Sequence, residues 1–262
     1  MNIQPHLKVR WGDIAQSVLL SGDPARVELI AQRLEGARLI ARNREFTTYT
    51  GRYQGIDVSA TSTGIGCPST AIAVEELARA GARLFIRVGT CGGAWRADIE
   101  PGSVVLPTAC VRDEGTTLEY ISAGFPAVAD VGIVNALVAS ARQCGMPYAV
   151  GINRTHDAFY APIGAPARWG RYLIEPRFMG LDTPIISSDM ETSALFVLAS
   201  LLGLRAGAVL AVNAAPEPLR AKLDGSDTET KAEFSKDFTQ EVEAKAIEIA
   251  LEAVLALAKS ES

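Results

Sequence analysis

Ile56-Asp57-Val58-Ser59-Ala60-Thr61-Ser62-Thr63-Gly64-Ile65-Gly66-Cys67-Pro68-Ser69 opens a strand–turn–helix–strand unit. The run Ile56–Ser62 is rich in β-branched and small residues and reads as a strand. Gly64 and Gly66 supply the turn, and Pro68 suits the first turn of a helix. From Pro68 to Ala80, the residues Ala71, Val74, Leu77 and Ala78 fall on one helical face. Leu84-Phe85-Ile86-Arg87-Val88 follows as a buried strand. A strand, a covering helix and a second strand make a crossover between parallel strands.

Working outward, the same alternation repeats. Strands are expected at Ser17–Leu20, Phe46–Tyr53 (joined to the Ile56 strand by a Gln54-Gly55 turn), Ser103–Val111, Tyr148–Asn153, Ile185–Ser187 and Ala206–Val212. Helices are expected from Pro24 to about Leu34, Val131 to Gln143, Met190 to Leu202, and Thr228 to about Lys259. No repeat, low-complexity tract or linker interrupts the chain. The expectation is an α/β fold: one domain over residues 1–262, a three-layer sandwich around a mixed, largely parallel sheet.

The chain has 262 residues, 48% hydrophobic and 21% charged, with a net charge of −5. That composition excludes a disordered chain. The acidic balance gives no broad footprint for nucleic acid or anionic lipid. Met1–Arg10 lacks the apolar core of a signal peptide, and Ala194–Leu204 is about half the ~20 residues of a membrane span. A cytoplasmic location is expected. Cys67, Cys91, Cys110 and Cys144 form no C-x-x-C pair and read as buried thiols. His6 and His156 are too far apart in sequence for a paired-His zinc site.

In α/β folds ligands gather beyond the carboxyl ends of strands. After the first strand, Gly22-Asp23-Pro24-Ala25-Arg26 offers a tight turn, a helix cap and an arginine one turn in. It reads either as a small anion site or as an ordinary capped helix with a surface Arg. Gly64-Ile65-Gly66-Cys67-Pro68-Ser69 nearly matches a dinucleotide fingerprint, with Ser69 where the last Gly belongs. Arg87, in an apolar strand, needs either a ligand anion or a carboxylate partner. Asp189-Met190-Glu191 precedes the apolar helix, as a cap with a first-turn acid or as carboxylates held at a strand end.

The ordered set Gly22-Asp23-Pro24-x-Arg26, Arg44-Glu45-Phe46-Thr47-Thr48, Ser62-Thr63-Gly64-Ile65-Gly66-x-Pro68-Ser69, Arg87-x-Gly89-Thr90 and Met190-Glu191 resembles the nucleoside phosphorylase family. Ala73-Val74-Glu75-Glu76-Leu77, Phe125–Asp130 and Asp157-x-Phe159-Tyr160 are similar to its uridine branch. The resemblance runs over nearly the whole chain.

It implies phosphate-dependent cleavage of a pyrimidine nucleoside, uridine and phosphate giving uracil and ribose 1-phosphate. It implies phosphate held by Gly22, Arg26, Arg87 and Thr90, with Arg44 reaching in from a neighbouring subunit. It implies ribose held by Met190, Glu191 and the neighbour's His6, and a base beside Phe159. Glu45, Ile65 and Ser69 match positions that carry a potassium ion at the dimer interface of some members. It further implies a homo-oligomer, a dimer at least and usually a trimer of dimers, with no organic cofactor. The chemistry suits the residues. Oxocarbenium character on the ribose is stabilised by a phosphate dianion clamped beneath it, so positioning and charge do most of the work.

Two departures stand out. The family's Glu-Met-Glu is Asp189-Met190-Glu191 here. The Gln-x-Arg pair that reads the uracil edge in the uridine branch is replaced after Tyr160 by Ala161-Pro162-Ile163-Gly164, leaving Arg168, Arg171 and Arg177 further on. Arg168 is the expected substitute. The purine branch carries an acid just after the last core strand, where this chain has Asn213-Ala214; Asn213 is expected to hydrogen-bond the base. The alternatives are a purine nucleoside or methylthioadenosine phosphorylase, an NADP oxidoreductase, and a nucleoside-binding protein without turnover.

Overall fold

In a computed structural model of the chain, residues 2–92, 99, 101–159, 177–178, 181–182, 185–213 and 236–260 are described. The expected architecture is found. A ten-stranded mixed sheet has the order β11-β8-β6-β12-β5-β1-β4-β3-β2, with β7 added beside β6.

Its centre is parallel. β1 (Ser17–Ser21) lies between β4 (Ile56–Ser62) and β5 (Leu84–Cys91), and β12 (Arg205–Val212) runs parallel to β5 on the other side. β6 (Val104–Asp113) is antiparallel to β12 and parallel to β8 (Tyr148–His156), which carries β11 (Ile185–Asp189) in the same direction. β7 (Ala127–Val128) pairs antiparallel with β6. β2 (Glu35–Asn43) and β3 (Phe46–Tyr53) form an antiparallel ribbon on β4. β9 (Arg177–Phe178) and β10 (Leu181–Asp182) make a separate small hairpin.

Strand alternation divides the core in two. On β12, Ala206, Ala208, Leu210 and Val212 enter one cluster, while Val209 and Ala211 enter the other. Phe85 faces the first, and Leu84, Ile86 and Val88 the second. Helices α2 (Cys67–Ala80) and α5 (Thr192–Leu201) cover the first face through Ala71, Val74, Leu77, Leu195 and Leu198. Helices α1 (Pro24–Ala31), α4 (Val131–Gln143) and α6 (Lys236–Ser260) cover the second through Val27, Ile133, Leu137, Ile247 and Leu251. This is the three-layer arrangement expected of an α/β sheet.

The differences are local. The polar stretch Glu35–Asn43 is a strand that periodicity does not reveal, because it is an outer strand with most side chains exposed. β5 continues through Gly89-Thr90-Cys91 rather than ending at Val88, because β12 pairs with it as far as Val212↔Cys91. β8 similarly runs on to His156 beside β6. A short helix, α3 (Thr116–Tyr120), follows β6. Helix α1 ends at Ala31, three residues before the expected Leu34. The residues expected to begin the last helix, 228–235, lie outside the described ones. Among the described residues no helix is long and apolar enough to cross a membrane.

Candidate active site

The carboxyl ends of β1, β4, β5 and β11 converge, and Arg87 lies at their centre. Its place on β5 points it to the same face as Phe85, toward the start of α5. It is 4% exposed. Nε donates to Asp189 Oδ2 at 3.0 Å and Nη2 to Glu191 Oε2 at 2.5 Å. Burial pushes the guanidinium's pKa down, but the two carboxylates push it up and prevail, so Arg87 stays charged. Nη1 is buried and has no partner among the described residues. Gly89 makes room for this fold-back: a Cβ there would sit 2.7 Å from Arg87 Nη2 and 2.8 Å from Cζ.

Asp189 is 6% exposed and heavily hydrogen-bonded. Oδ1 accepts from Asn153 Nδ2 and Thr155 Oγ1, both at 2.8 Å. Oδ2 accepts from the Thr192 amide at 3.1 Å and from its hydroxyl. It therefore caps α5 and anchors Arg87 at once. Glu191 stands at the helix N-cap, not in the first turn as the sequence reading has it, and its side chain does not cap its own helix. Its Oε1 accepts instead from the Gly66 amide at 2.7 Å, at the start of α2. Burial is the largest influence on this carboxyl and pushes its pKa up, against the pull of Arg87 and the Gly66 amide. The glycine turn thus spends its helix-terminal amide on a protein carboxylate, where a dinucleotide fingerprint offers it to pyrophosphate.

Arg26 approaches from the other layer. It is 7% exposed on α1. Nη1 donates to Ser21 Oγ at 3.1 Å and to the Val88 carbonyl at 3.4 Å, which sets the guanidinium beside the end of β5. Nη2 donates to Glu243 Oε1 on α6 at 2.5 Å, and Nε is buried without a partner among the described residues. Asp23 caps α1 through the Ala25 amide at 2.8 Å. Gly22 touches the β4 turn, where a Cβ would lie 3.2 Å from the Gly64 carbonyl oxygen.

Of the remaining expected residues, Thr90 lies half-buried on β5, and the Asn213 amide donates to the Cys91 carbonyl at 3.3 Å beside it. The Met190 carbonyl accepts from Cys67 Sγ at 3.2 Å. Burial, with Glu114 and Asp189 adding to it, pushes the Cys67 thiol's pKa well up, so it is not a thiolate. Phe159 is exposed just past β8. Arg168 lies outside the described residues.

Glu45, Ile65 and Ser69 gather at Gly64. A Cβ there would meet Glu45 Cγ at 2.8 Å and Ser69 Oγ at 3.4 Å, and Ser69 Oγ donates to the Ile65 carbonyl at 3.2 Å. His6 is held apart from the arginine cluster. Its Nδ1 lies 2.7 Å from Glu76 Oε1, and its carbonyl accepts from Asn43 Nδ2 at 2.7 Å. Arg44, next to Asn43, is exposed at φ 54° and makes no hydrogen bond or ion pair among the described residues. The structure thus joins Arg26, Arg87, Asp189 and Glu191 at one place, and among the described residues His6 and Arg44 hydrogen-bond to none of the four.

Sequence reasoning missed Asn153, Thr155 and Glu243. The first two look like ordinary strand residues, and only the inward alternation of β8 betrays them. Glu243 sits in a charged amphipathic helix with nothing to mark it.

A family model described as the phosphorylase superfamily matches residues 16–256. A uridine phosphorylase of Thermococcus kodakarensis is 44% identical over 213 residues, 80% of this chain and 76% of that protein. A guanosine phosphorylase of Halorubrum lacusprofundi is 39% identical over 254 residues, 97% of this chain and 99% of that protein. Among solved structures, a purine nucleoside phosphorylase from Toxoplasma gondii in complex with immucillin-H superposes with a TM-score of 0.84 at 31% identity, covering 99% of this chain and 98% of its own.

Proposed function

The chain belongs to the phosphorylase superfamily and is a nucleoside phosphorylase, and from that premise we propose that it cleaves uridine with phosphate to uracil and ribose 1-phosphate. One observation carries the phosphate site. Two buried guanidiniums, Arg26 and Arg87, flank the end of β5, and each has one buried nitrogen without a partner among the described residues. A phosphate oxygen is the chemistry that satisfies such donors.

In this reading phosphate lies against Arg26, Arg87, Thr90 and the Gly22 turn, in line with the glycosidic bond. The ribose lies over Met190 and Glu191. As the bond lengthens, positive charge on the ribose is met by the dianion below and the Glu191 carboxylate beside it. The base leaves as a stabilised anion, aided by hydrogen bonds from Asn213 or Arg168, with Phe159 packed alongside. Arg44 and His6 complete the site of a second copy, in a dimer or a trimer of dimers. Glu45, the Ile65 carbonyl and Ser69 are oxygen donors that fit a hard monovalent cation at that interface.

A specific observation favours a second reading, guanosine or another purine nucleoside. The guanosine phosphorylase relative aligns over 97% of this chain, while the uridine phosphorylase of Thermococcus aligns over 80%. The uracil-reading Gln-x-Arg pair is also absent.

The test is a panel of uridine, thymidine, inosine, guanosine, adenosine and methylthioadenosine, with and without phosphate. Base release from uridine should depend on phosphate or arsenate, and uridine should give the highest kcat/KM. A purine nucleoside that exceeds uridine overturns the pyrimidine assignment. Equal release without phosphate overturns phosphorolysis.

A further inference from the structure

Arg26 is the phosphate-site guanidinium that the protein's own chain already occupies from a distance. Glu243 lies 217 residues away, on α6, with its Oε1 2.5 Å from Arg26 Nη2. Both partners are largely buried, the side chains 8% and 15% exposed. Glu243 differs from the carboxylates around Arg87. Asp189 is tied to further backbone and side-chain donors and Glu191 to the Gly66 amide, so both are built into the site. Arg26 is the one ion-pair or hydrogen-bond partner of the Glu243 side chain among the described residues.

We propose that Glu243 is an internal competitor for the phosphate site, an autoinhibitory contact that sets how tightly the enzyme holds phosphate. The proposal rests on the reading of Arg26 as a phosphate ligand. A carboxylate against Arg26 does what a phosphate oxygen does: it accepts from an Nη and neutralises the charge. A dianion arriving at the same guanidinium meets that carboxylate across a few ångströms of low-dielectric protein, where like charges repel strongly. Phosphate must therefore either displace Glu243 from Nη2 or bind against its field, and in both cases the charge at position 243 weakens phosphate. Because the charge sits on α6, anything that shifts this helix shifts phosphate affinity without touching the nucleoside contacts.

The test is direct binding of inorganic phosphate by calorimetry to the full-length protein and to Glu243→Gln and Glu243→Ala, with KM for phosphate and for nucleoside measured in parallel. Glutamine keeps an acceptor for Nη2 and removes only the charge; alanine removes both. Both variants should bind phosphate roughly tenfold more tightly. The change should appear in KM for phosphate rather than in kcat or in KM for nucleoside. In an Arg26→Gln background the same substitutions should change phosphate binding by a different factor, since no guanidinium remains for carboxylate and phosphate to share; the two positions are therefore coupled. A merely structural ion pair would lower the melting temperature and leave the phosphate Kd unmoved, and that result overturns the proposal, as does weaker binding in both variants. If the unaltered protein binds no phosphate and its turnover ignores phosphate, the phosphate site itself fails, and the competitor with it.

Discussion

Arg87 can serve two masters because a guanidinium has five N–H donors in a fixed fork. Nε and Nη2 are held by Asp189 and Glu191, and Nη1 is left without a partner among the described residues. The oddity of an arginine in Leu84–Val88 was legible, and so were its two possible partners, a ligand anion or a carboxylate. The structure supplies the carboxylates and leaves a donor over. What no local pattern carried was the shell behind it, Asn153 and Thr155, since a polar residue on a strand reads the same whether it faces water or a buried Asp. The arrangement makes Asp189→Asn informative. An amide in place of the carboxylate must turn its oxygen toward Asn153 and Thr155, and then its NH2 opposes Arg87 Nε and Thr192, donor against donor. Removing one partner of a buried pair typically costs about 3–5 kcal/mol. The variant should show that loss in denaturant titrations. Its KM for phosphate should rise at least about tenfold, because Arg87 is no longer aimed. A variant of unchanged stability and phosphate KM would show that Asp189 does not position Arg87.

At the scale of elements, two glycines in adjacent strands make opposite predictions. Gly89 in β5 leaves the space that the Arg87 guanidinium fills. Gly207 in β12 faces α4, where a Cβ would lie 2.3 Å from Ile133 Cγ2. Overpacking of this kind costs about 1–3 kcal/mol at either site. Gly89→Ala should also lose activity, about a hundredfold in kcat/KM, since it displaces a charge-stabilising donor. Gly207→Ala should lose stability alone, with the specific activity of folded protein unchanged. Calorimetric scans and kinetics on the same preparations check both. Equal activity in the two variants would break the link between Gly89 and Arg87. The core strands and α2, α4 and α5 were legible because their apolar periodicity is strong. The β2 strand was not, because an outer ribbon strand buries too little to leave a pattern. The continuation of β5 past Gly89 was hidden for another reason: it is fixed by pairing with β12, a partner more than a hundred residues away.

The whole molecule poses a question of completeness. The arginines proposed to face phosphate in one chain are Arg26 and Arg87, joined through the ends of β1 and β5. Arg44 is exposed at the β2–β3 corner, tied through its neighbour Asn43 to His6, and makes no contact with that cluster. A third arginine placed to meet phosphate across a two-fold interface accounts for this separation, since an isologous contact brings each chain's corner to the other's site. The consequence is a complementation experiment. Arg87→Ala would leave Asp189 and Glu191 buried without a counter-charge, so the double variant Arg26→Gln/Arg87→Lys is the better knockout of the body half. Arg44→Ala is the knockout of the corner half. Each should be nearly inactive alone. After subunit exchange at equal amounts, a site is whole when its body comes from the Arg44 variant and its corner from the other, about one site in four for a shared two-fold interface. Activity should therefore return to about a quarter of that of the unaltered enzyme, with heteromers verified by mass. Exchange without recovery would mean that Arg44 serves no neighbouring site.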